Sequence, residues 1–310
     1  MAQKEFILTA PVLFLTFNRP EETKRVFEEI KKAKPKQLFI ASDGPRESRP
    51  EEKIVITELR AHLLKNIDWR CKIKTLFRDK NFGCRKSVSG AIDWFFSHVE
   101  KGVILEDDCL PSQSFFRFCQ ELLERYKDDK RIMQISGTNV EGISKIEESY
   151  FFSRTYNVWG WATWRRAWEH YDVNVKLWPK FKKEGWIRNF TDNFIERKQH
   201  ILGMDNLYNG KTDTWDFQWS FCCMINNGLT IIPKKNLIKN IGFFGQGTHV
   251  NPFEKKKSLN LFDLEFPLKE NVFFVESKRY RVLSKKFFYQ GRLRGRNKLR
   301  RLLSILRTRG

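Results

Sequence analysis

The sequence predicts an α/β protein with a mostly parallel sheet flanked by helices. Three observations carry this. Short continuous apolar runs alternate with longer amphipathic segments from Val12 to about Tyr126. Each run closes on a polar or turn-forming cluster. Hydrophobic residues make up 41% of the 310, which excludes disorder for most of the length and supplies a sizeable core.

The elements follow in order. Val12–Phe17 is a continuous apolar run, as a strand buried on both faces requires. Asn18-Arg19-Pro20-Glu21-Glu22 then places proline and acids where a helix starts, and that helix should end near Lys34, before Pro35. Leu38–Ser42 is a second strand, closed by the turn Asp43-Gly44-Pro45. Glu51–Leu64 reads as a helix, Ile73–Phe77 as a third strand, Ser87–His98 as a helix and Val103–Leu105 as a fourth strand. A helix from Ser112 to about Tyr126 carries Phe115, Phe116, Phe118, Leu122 and Leu123 on its apolar side. Ligands on such sheets bind beyond the carboxyl ends of the strands. The residues to watch are therefore Asn18-Arg19, Asp43, Arg78 and Glu106-Asp107-Asp108.

After Tyr126 the pattern changes. Eight of the ten tryptophans lie between Trp159 and Trp219, in stretches such as Gly160-Trp161-Ala162-Thr163-Trp164 and Trp215-Asp216-Phe217-Gln218-Trp219. Such density lines a carbohydrate cleft, where sugar C–H faces stack on rings, and it equally fills ordinary cores.

Charge is uneven. The chain is +21 overall, and Ser277–Gly310 holds 13 Lys or Arg and no acid. The rest carries 45 basic against 37 acidic residues. Leu299, Leu302, Leu303 and Leu306 recur at helical spacing among these arginines, which predicts a basic amphipathic helix on an anionic membrane surface. A nucleic-acid binder would interleave basic and aromatic residues along its body, and here the excess lies in the tail. Nucleic acid is therefore not the expected partner. Six cysteines without a Cys-x-x-Cys pair or a His cluster argue against zinc and a disulfide scaffold, and fit a reducing cytosol. No apolar run is long enough to cross a membrane, and no signal-peptide layout opens the sequence. A cytoplasmic protein held peripherally on the inner membrane face is the expectation.

Val103–Leu105 leads directly into Glu106-Asp107-Asp108. Adjacent carboxylates repel, so three together need a cation or a solvated turn. A divalent ion with oxygen ligands would serve, completing its shell from water and a diphosphate. Gly245-Gln246-Gly247-Thr248-His249 offers backbone N–H groups and an imidazole to a phosphate or metal, or forms a plain glycine turn.

Taken in order, Asn18-Arg19, Asp43, the basic stretch Arg78–Lys86, Leu105-Glu106-Asp107-Asp108, Ser114–Phe118, Ile135–Asn139, Trp159-Gly160-Trp161 and Trp215–Trp219 resemble a GT-A fold glycosyltransferase. The likeness is to the N-acetylglucosaminyltransferase I type, over about residues 10–250. It implies a Rossmann-like GT-A domain over residues 1–275, with a nucleotide-sugar half (1–140), an aromatic-rich acceptor half (141–275) and a basic tail (276–310). The resemblance also assigns roles. Arg19 and Asp43 match nucleotide-contacting positions, Asp43 the one near the uracil. Arg85 or Lys86 matches a basic position beside the nucleotide sugar. Glu106 and Asp107 match sugar- and ribose-contacting acids, Asp108 the metal ligand, and His249 is a second candidate for the metal. Asp216 matches the base that deprotonates the acceptor hydroxyl and gives inversion. The family pairs acids where this chain has only Asp216 locally, so Asp213 is an alternative base. The animal members carry a luminal anchor and this chain does not, so it resembles a microbial, cytosolic member.

The implied function is inverting, metal-dependent (Mn²⁺ or Mg²⁺) transfer from a UDP-sugar. The acceptor would be a saccharide, a lipid-linked one being the form that a membrane-bound enzyme meets, in cell-surface polysaccharide or lipooligosaccharide synthesis. Two alternatives stay open. A nucleotidyltransferase making a nucleotide sugar shares the acidic α/β core, but Thr16–Pro20 lacks the glycines of a triphosphate loop. The other is a non-enzymatic carbohydrate- or nucleic-acid-binding protein.

Overall fold

The computed structural model describes residues 6–191, 193–242 and 259–288. The predicted alternation is present: β1 (Val12–Thr16), α1 (Pro20–Ala33), β2 (Gln37–Ser42), α2 (Glu52–Lys65), β3 (Lys72–Phe77), α3 (Gly83–His98) and β4 (Lys101–Glu106). Next come β5 (Cys109–Pro111), α4 (Gln113–Arg125), β6 (Ile132–Ser136), β7 (Tyr150–Ser153), β8 (Trp161–Trp164) and α5 (Arg165–Trp168). The remainder is α6 (Trp178–Lys183), a 3₁₀ turn (Trp186–Asn189), α7 (Phe194–Tyr208), α8 (Asp216–Ile225), β9 (Leu229–Pro233) and β10 (Ile238–Asn240). Residues 278–288 form a further helix, α9.

Eight strands make the main sheet in the order β3-β2-β1-β4-β8-β6-β9-β7. Six run one way, while β8 and β7 are antiparallel to their neighbours. Strands β1, β6, β8 and β9 are buried along their whole length, which is why β1 reads as an unbroken apolar run. Alternate residues feed opposite layers. Val12 and Phe14 join Phe27, Phe115 and Phe118 on the α1/α4 side, and Leu13 and Leu15 join Phe95, Trp161 and Trp219 on the α3/α8 side. At the edge, β3 exposes Lys72 and Lys74, whose charges discourage pairing with another chain.

Helix α3 starts four residues ahead of its expected position. Gly83 adopts φ +78°, which an L side chain resists, and Asp213 caps the new first turn. Strands β5 and β10, absent from the sequence reading, form a short antiparallel ribbon just past β4. The ribbon carries Ile241, whose N–H donates to the Asp108 carbonyl at 2.8 Å.

The start of the basic tail is not a free appendage. Tyr280 in α9 is buried against Phe151, with ring centroids 5.0 Å apart. Its hydroxyl donates to the Thr138 carbonyl (3.2 Å) and accepts from the Val140 N–H (3.3 Å). Phe287 and Phe288 pack edge-on to Trp159. The leucines from Leu299 to Leu306 lie outside the described residues. Tyr280→Ala should therefore destabilise the whole domain by about 3 kcal/mol, read as a lower urea midpoint. A midpoint equal to the parent's would mean α9 does not hold the body together.

Candidate active site

Strands β1, β2 and β4 end on a common cleft of about 720 Å³. Register explains what meets there. Leu15 pairs with Glu106, so the chain leaving β1 runs beside Asp107. The Phe17 N–H donates to Asp107 Oδ2 at 3.2 Å. From the next turn, Arg19 Nη1 donates to Asp107 Oδ1 at 2.9 Å and to Asp108 Oδ2 at 2.8 Å. One guanidinium thus spans two of the three acids.

The electrostatics are those of a crowded, poorly solvated cluster. Burial pushes the Asp107 carboxyl up to about 7, with Arg19 opposing and Asp108 adding to the shift. Desolvation and the charges of Asp108 and Asp107 hold Glu106 well above the ordinary carboxylate range. For Arg19, burial works against the charge, but the three acids more than offset it and its pKa rises.

Asp43 directly follows β2 and also lines the cleft. It is buried, and burial raises its pKa against the pull of the Phe82 and Gly44 N–H groups and Arg78. Those N–H donors lie 3.1 and 3.0 Å from Oδ1. Gly44 permits the turn, because a Cβ there would fall 2.4 Å from the Lys80 nitrogen. Arg60 of α2 clamps the strand ends, its Nη2 donating to the carbonyls of Ser42 (3.0 Å), Asp43 (3.0 Å) and Arg78 (2.8 Å). Arg78 in turn donates to the Ser87 hydroxyl at 2.9 Å. Glu52 ties the mouth together, accepting from Asn18 Nδ2 (2.9 Å) and from the Arg46 backbone and side chain. Arg46 and Arg49 line the cleft there. Neither was singled out in the sequence, though both follow the turn after β2, where ligands on such sheets bind.

Helix α3 presents Cys84, Ser87, Val88 and Ala91 to the cleft, one helical face. Arg85 and Lys86 fall on other faces. Arg85 acts on the Tyr171 phenol rather than lining the cleft, and Lys86 is exposed.

The two candidate bases have different surroundings. Both Asp213 oxygens are taken by α3, Oδ2 accepting from the Cys84 N–H (2.9 Å) and Oδ1 from the Arg85 N–H (3.0 Å). Asp216 opens α8 and accepts from the Thr214 hydroxyl. Its charge contributes to the raised pKa of Glu106, although Asp216 itself is not among the residues that line the cleft. Partial burial and the charges of Glu106, Asp213 and Asp216 push the Cys84 thiol up to about 12. Asp216 is held by an aromatic core. Trp161, Trp168, Trp215 and Trp219 are buried against one another at 5.3–6.4 Å between centroids. Tyr171 stacks on Trp168 at 4.2 Å and donates to the Trp215 carbonyl at 3.2 Å. These tryptophans, one reading of which was a sugar platform, are core that positions the start of α8.

Asp107 and Asp108 are hard oxygen donors of the kind Mg²⁺ or Mn²⁺ takes. Among the described residues no three His, Cys, Asp or Glu side chains converge into a ready-made cage. The arrangement fits an ion held by one or two carboxylates and completed by phosphate and water. Asp107 lines the cleft, and both acids already hold Arg19, Asp108 through Oδ2. His249 and its glycine loop lie outside the described residues.

Neither a protein-family model nor a curated protein matches this sequence. Among solved structures, HddC from Yersinia pseudotuberculosis aligns at TM-score 0.33 and 10% identity, over 56% of this chain and 87% of that one. A cytidylyltransferase from Leptospira borgpetersenii serovar Hardjo-bovis (strain JB197) aligns at TM-score 0.33 and 11% identity, over 62% and 74%. At that distance neither likeness bears on the chemistry of the cleft.

The raised Asp107 pKa has a definite sign. Between about pH 4, the ordinary carboxylate value, and about pH 7 the native state holds a proton that the unfolded chain has released. Its burial therefore costs stability that grows as pH rises through this window and is full above it. The stability of Asp107→Asn relative to the parent should accordingly increase by on the order of 1 kcal/mol from pH 4 to pH 7 in paired urea titrations. A difference independent of pH would mean that Asp107 is ordinarily solvated.

Proposed function

We propose that the protein is an inverting glycosyltransferase that takes a sugar from a nucleoside diphosphate sugar, a UDP-sugar by preference, and delivers it to a saccharide hydroxyl. One observation carries the reading. Three strand ends far apart in sequence bring Arg19, Asp43, Glu106 and Asp107 into one cleft, with Asp216 of the other half acting on it. The strand order, in which antiparallel β8 sits between β4 and β6, is compatible with a GT-A domain.

In this reading Arg19, Arg46 and Arg49 attract the donor diphosphate and stabilise the charge that gathers on it as the glycosidic bond breaks. Asp43 faces the nucleobase. Its carboxylate has acceptor capacity left beyond the two backbone N–H groups it already holds. Asp107, with its pKa pushed up to about 7, is partly protonated near neutrality and so can donate as well as accept toward sugar hydroxyls, and burial beside Asp108 and Asp107 raises Glu106 in the same direction. Asp216 takes the acceptor's proton as the new C–O bond forms, from the side opposite the departing diphosphate. Thr214 orients that carboxylate. Asp213, with both oxygens on the α3 N-terminus, is a capping residue in this scheme. A divalent cation held by Asp108, when bound, would add charge neutralisation at the leaving phosphate. The basic charge after Ser277 supports a lipid-linked saccharide acceptor on an anionic membrane face.

Asp216→Asn should lower kcat for sugar transfer by roughly 10²–10⁴ while leaving UDP affinity within a factor of about two. Asp213→Asn should instead cost about 1 kcal/mol of stability through the lost cap. Undiminished transfer by Asp216→Asn would remove it as the base. Consumption of a nucleoside triphosphate and a sugar phosphate, with release of pyrophosphate, would establish a nucleotidyltransferase in place of the transferase proposed.

A further inference from the structure

Residues 176–211 connect the sheet to Asp216 and carry α6, the 3₁₀ turn and α7. Their inner face is an ordinary core. Val175, Trp178, Met204, Leu207 and Phe221 form a buried cluster that joins α6, α7 and α8. Helix α7 is also apolar on the side facing away from that cluster. Phe194, Ile195 and Leu202 are 61%, 64% and 44% exposed. Together with Lys198 they fall within one stripe about 100° wide, at the helical rotation of about 100° per residue. A soluble surface helix normally turns polar residues outward, so large apolar side chains grouped this way mark a contact surface.

The charge around the stripe indicates what it contacts. Residues 176–211 hold eight Lys or Arg against four acids. Two of those acids are turned to partners within the fold, Glu196 pairing with Lys285 at 2.8 Å and Asp205 with Lys182 at 2.7 Å. Lys198 Nζ lies 4.6 Å from the Phe194 ring centroid, a cation on the apolar stripe itself. Helix α9 docks beside the start of α7 through Lys285 and through Arg281, whose Nη1 donates to the Phe190 carbonyl at 3.4 Å. The sequence beyond Phe288 adds eight more Lys or Arg and no acid. Exposed aromatic and branched residues beside Lys198, in a segment with twice as many basic as acidic residues, and with Asp205, the acid at the same helical angle, neutralised by Lys182, are the chemistry of a helix lying in the headgroup region of an anionic bilayer.

We propose that the outer face of α7 seats on an anionic lipid surface, with Phe194, Ile195 and Leu202 at the acyl boundary and Lys198 among the phosphates. Among the described residues no helix is long and apolar enough to cross a membrane, so the contact is interfacial. The chain runs from α7 through Asp213 into Asp216, so such a seat ties the Asp216 side of the cleft to the bilayer. The inference is independent of the nucleotide-sugar reading, because lipid binding and nucleotide binding are measured separately.

The test uses the full chain with vesicles of phosphatidylcholine alone and of phosphatidylcholine mixed with phosphatidylglycerol. Flotation should show binding to the anionic vesicles, and Ile195→Glu/Leu202→Glu should weaken it about tenfold or more. Amide exchange over residues 193–209 should slow in the parent on anionic vesicles and not on neutral ones. Unslowed exchange there, or a double variant that binds as tightly as the parent, would place lipid binding elsewhere and overturn the proposal. Self-association of the parent without lipid, abolished in the double variant, would equally overturn it by making the stripe a protein–protein face. The exchange measurement needs no variant, so the test survives if the double substitution fails to fold.

Discussion

The structure turns on one electrostatic constraint. Three consecutive acids leave the end of a central strand, where solvent cannot screen them fully. Like charges so placed must gain a proton or a cation. The fold supplies both answers. Arg19, delivered by the turn after the neighbouring strand, lies within 2.9 Å of two of the carboxylates, and Asp107 and Glu106 hold protons more tightly than ordinary acids. Neither answer neutralises the cluster permanently. Arg19 lines the open cleft, so a ligand bearing phosphates would compete for it. In the proposed reading, the same arrangement that makes the acid cluster tolerable also receives a diphosphate.

A second constraint is positional. Asp216 belongs to the other half of the chain, and its relation to the acids is set by aromatic packing and by a few hydrogen bonds between distant segments. The tryptophan cluster fixes the start of α8, and Asp213 binds the preceding loop to α3 across 129 residues of sequence. Large rings bury much area with few rotatable bonds, so they hold such a loop at low entropic cost. Asp216 is thus supported chiefly by a rigid apolar block, while Asp43 and the cleft mouth are held by the hydrogen bonds of Arg60, Arg78 and Glu52.

How much of this was legible in the sequence follows from burial. Strands β1, β2 and β4 showed as continuous apolar runs because both their faces are covered, and the acids after β4 stood out because they interrupt such a run. The reversed strands gave no such signal. Residues Trp161–Trp164 look like part of an aromatic motif, and only their neighbours in space make them a strand. Whether tryptophans face a cleft or a core depends on the third dimension, and periodicity is silent on it. The roles of Arg60 and Asp213, and the Asn18 contact of Glu52, rest on pairs 17 to 129 residues apart in sequence, which no local pattern records. By contrast, Arg46 and Arg49 were within reach of the rule that points to strand ends. The docking of Tyr280 on the body was not legible either, because it is one ring among lysines and arginines and its burial is set by Phe151.

The central claim is that the acidic cleft receives a nucleoside diphosphate. Calorimetric titration of the full chain with UDP, in the presence and absence of Mn²⁺, tests it most directly. Micromolar UDP binding that strengthens with the metal is the expected result. Absence of binding to UDP, GDP and CMP alike, with or without metal, would contradict the claim and with it the roles given to Arg19, Asp43 and the three acids.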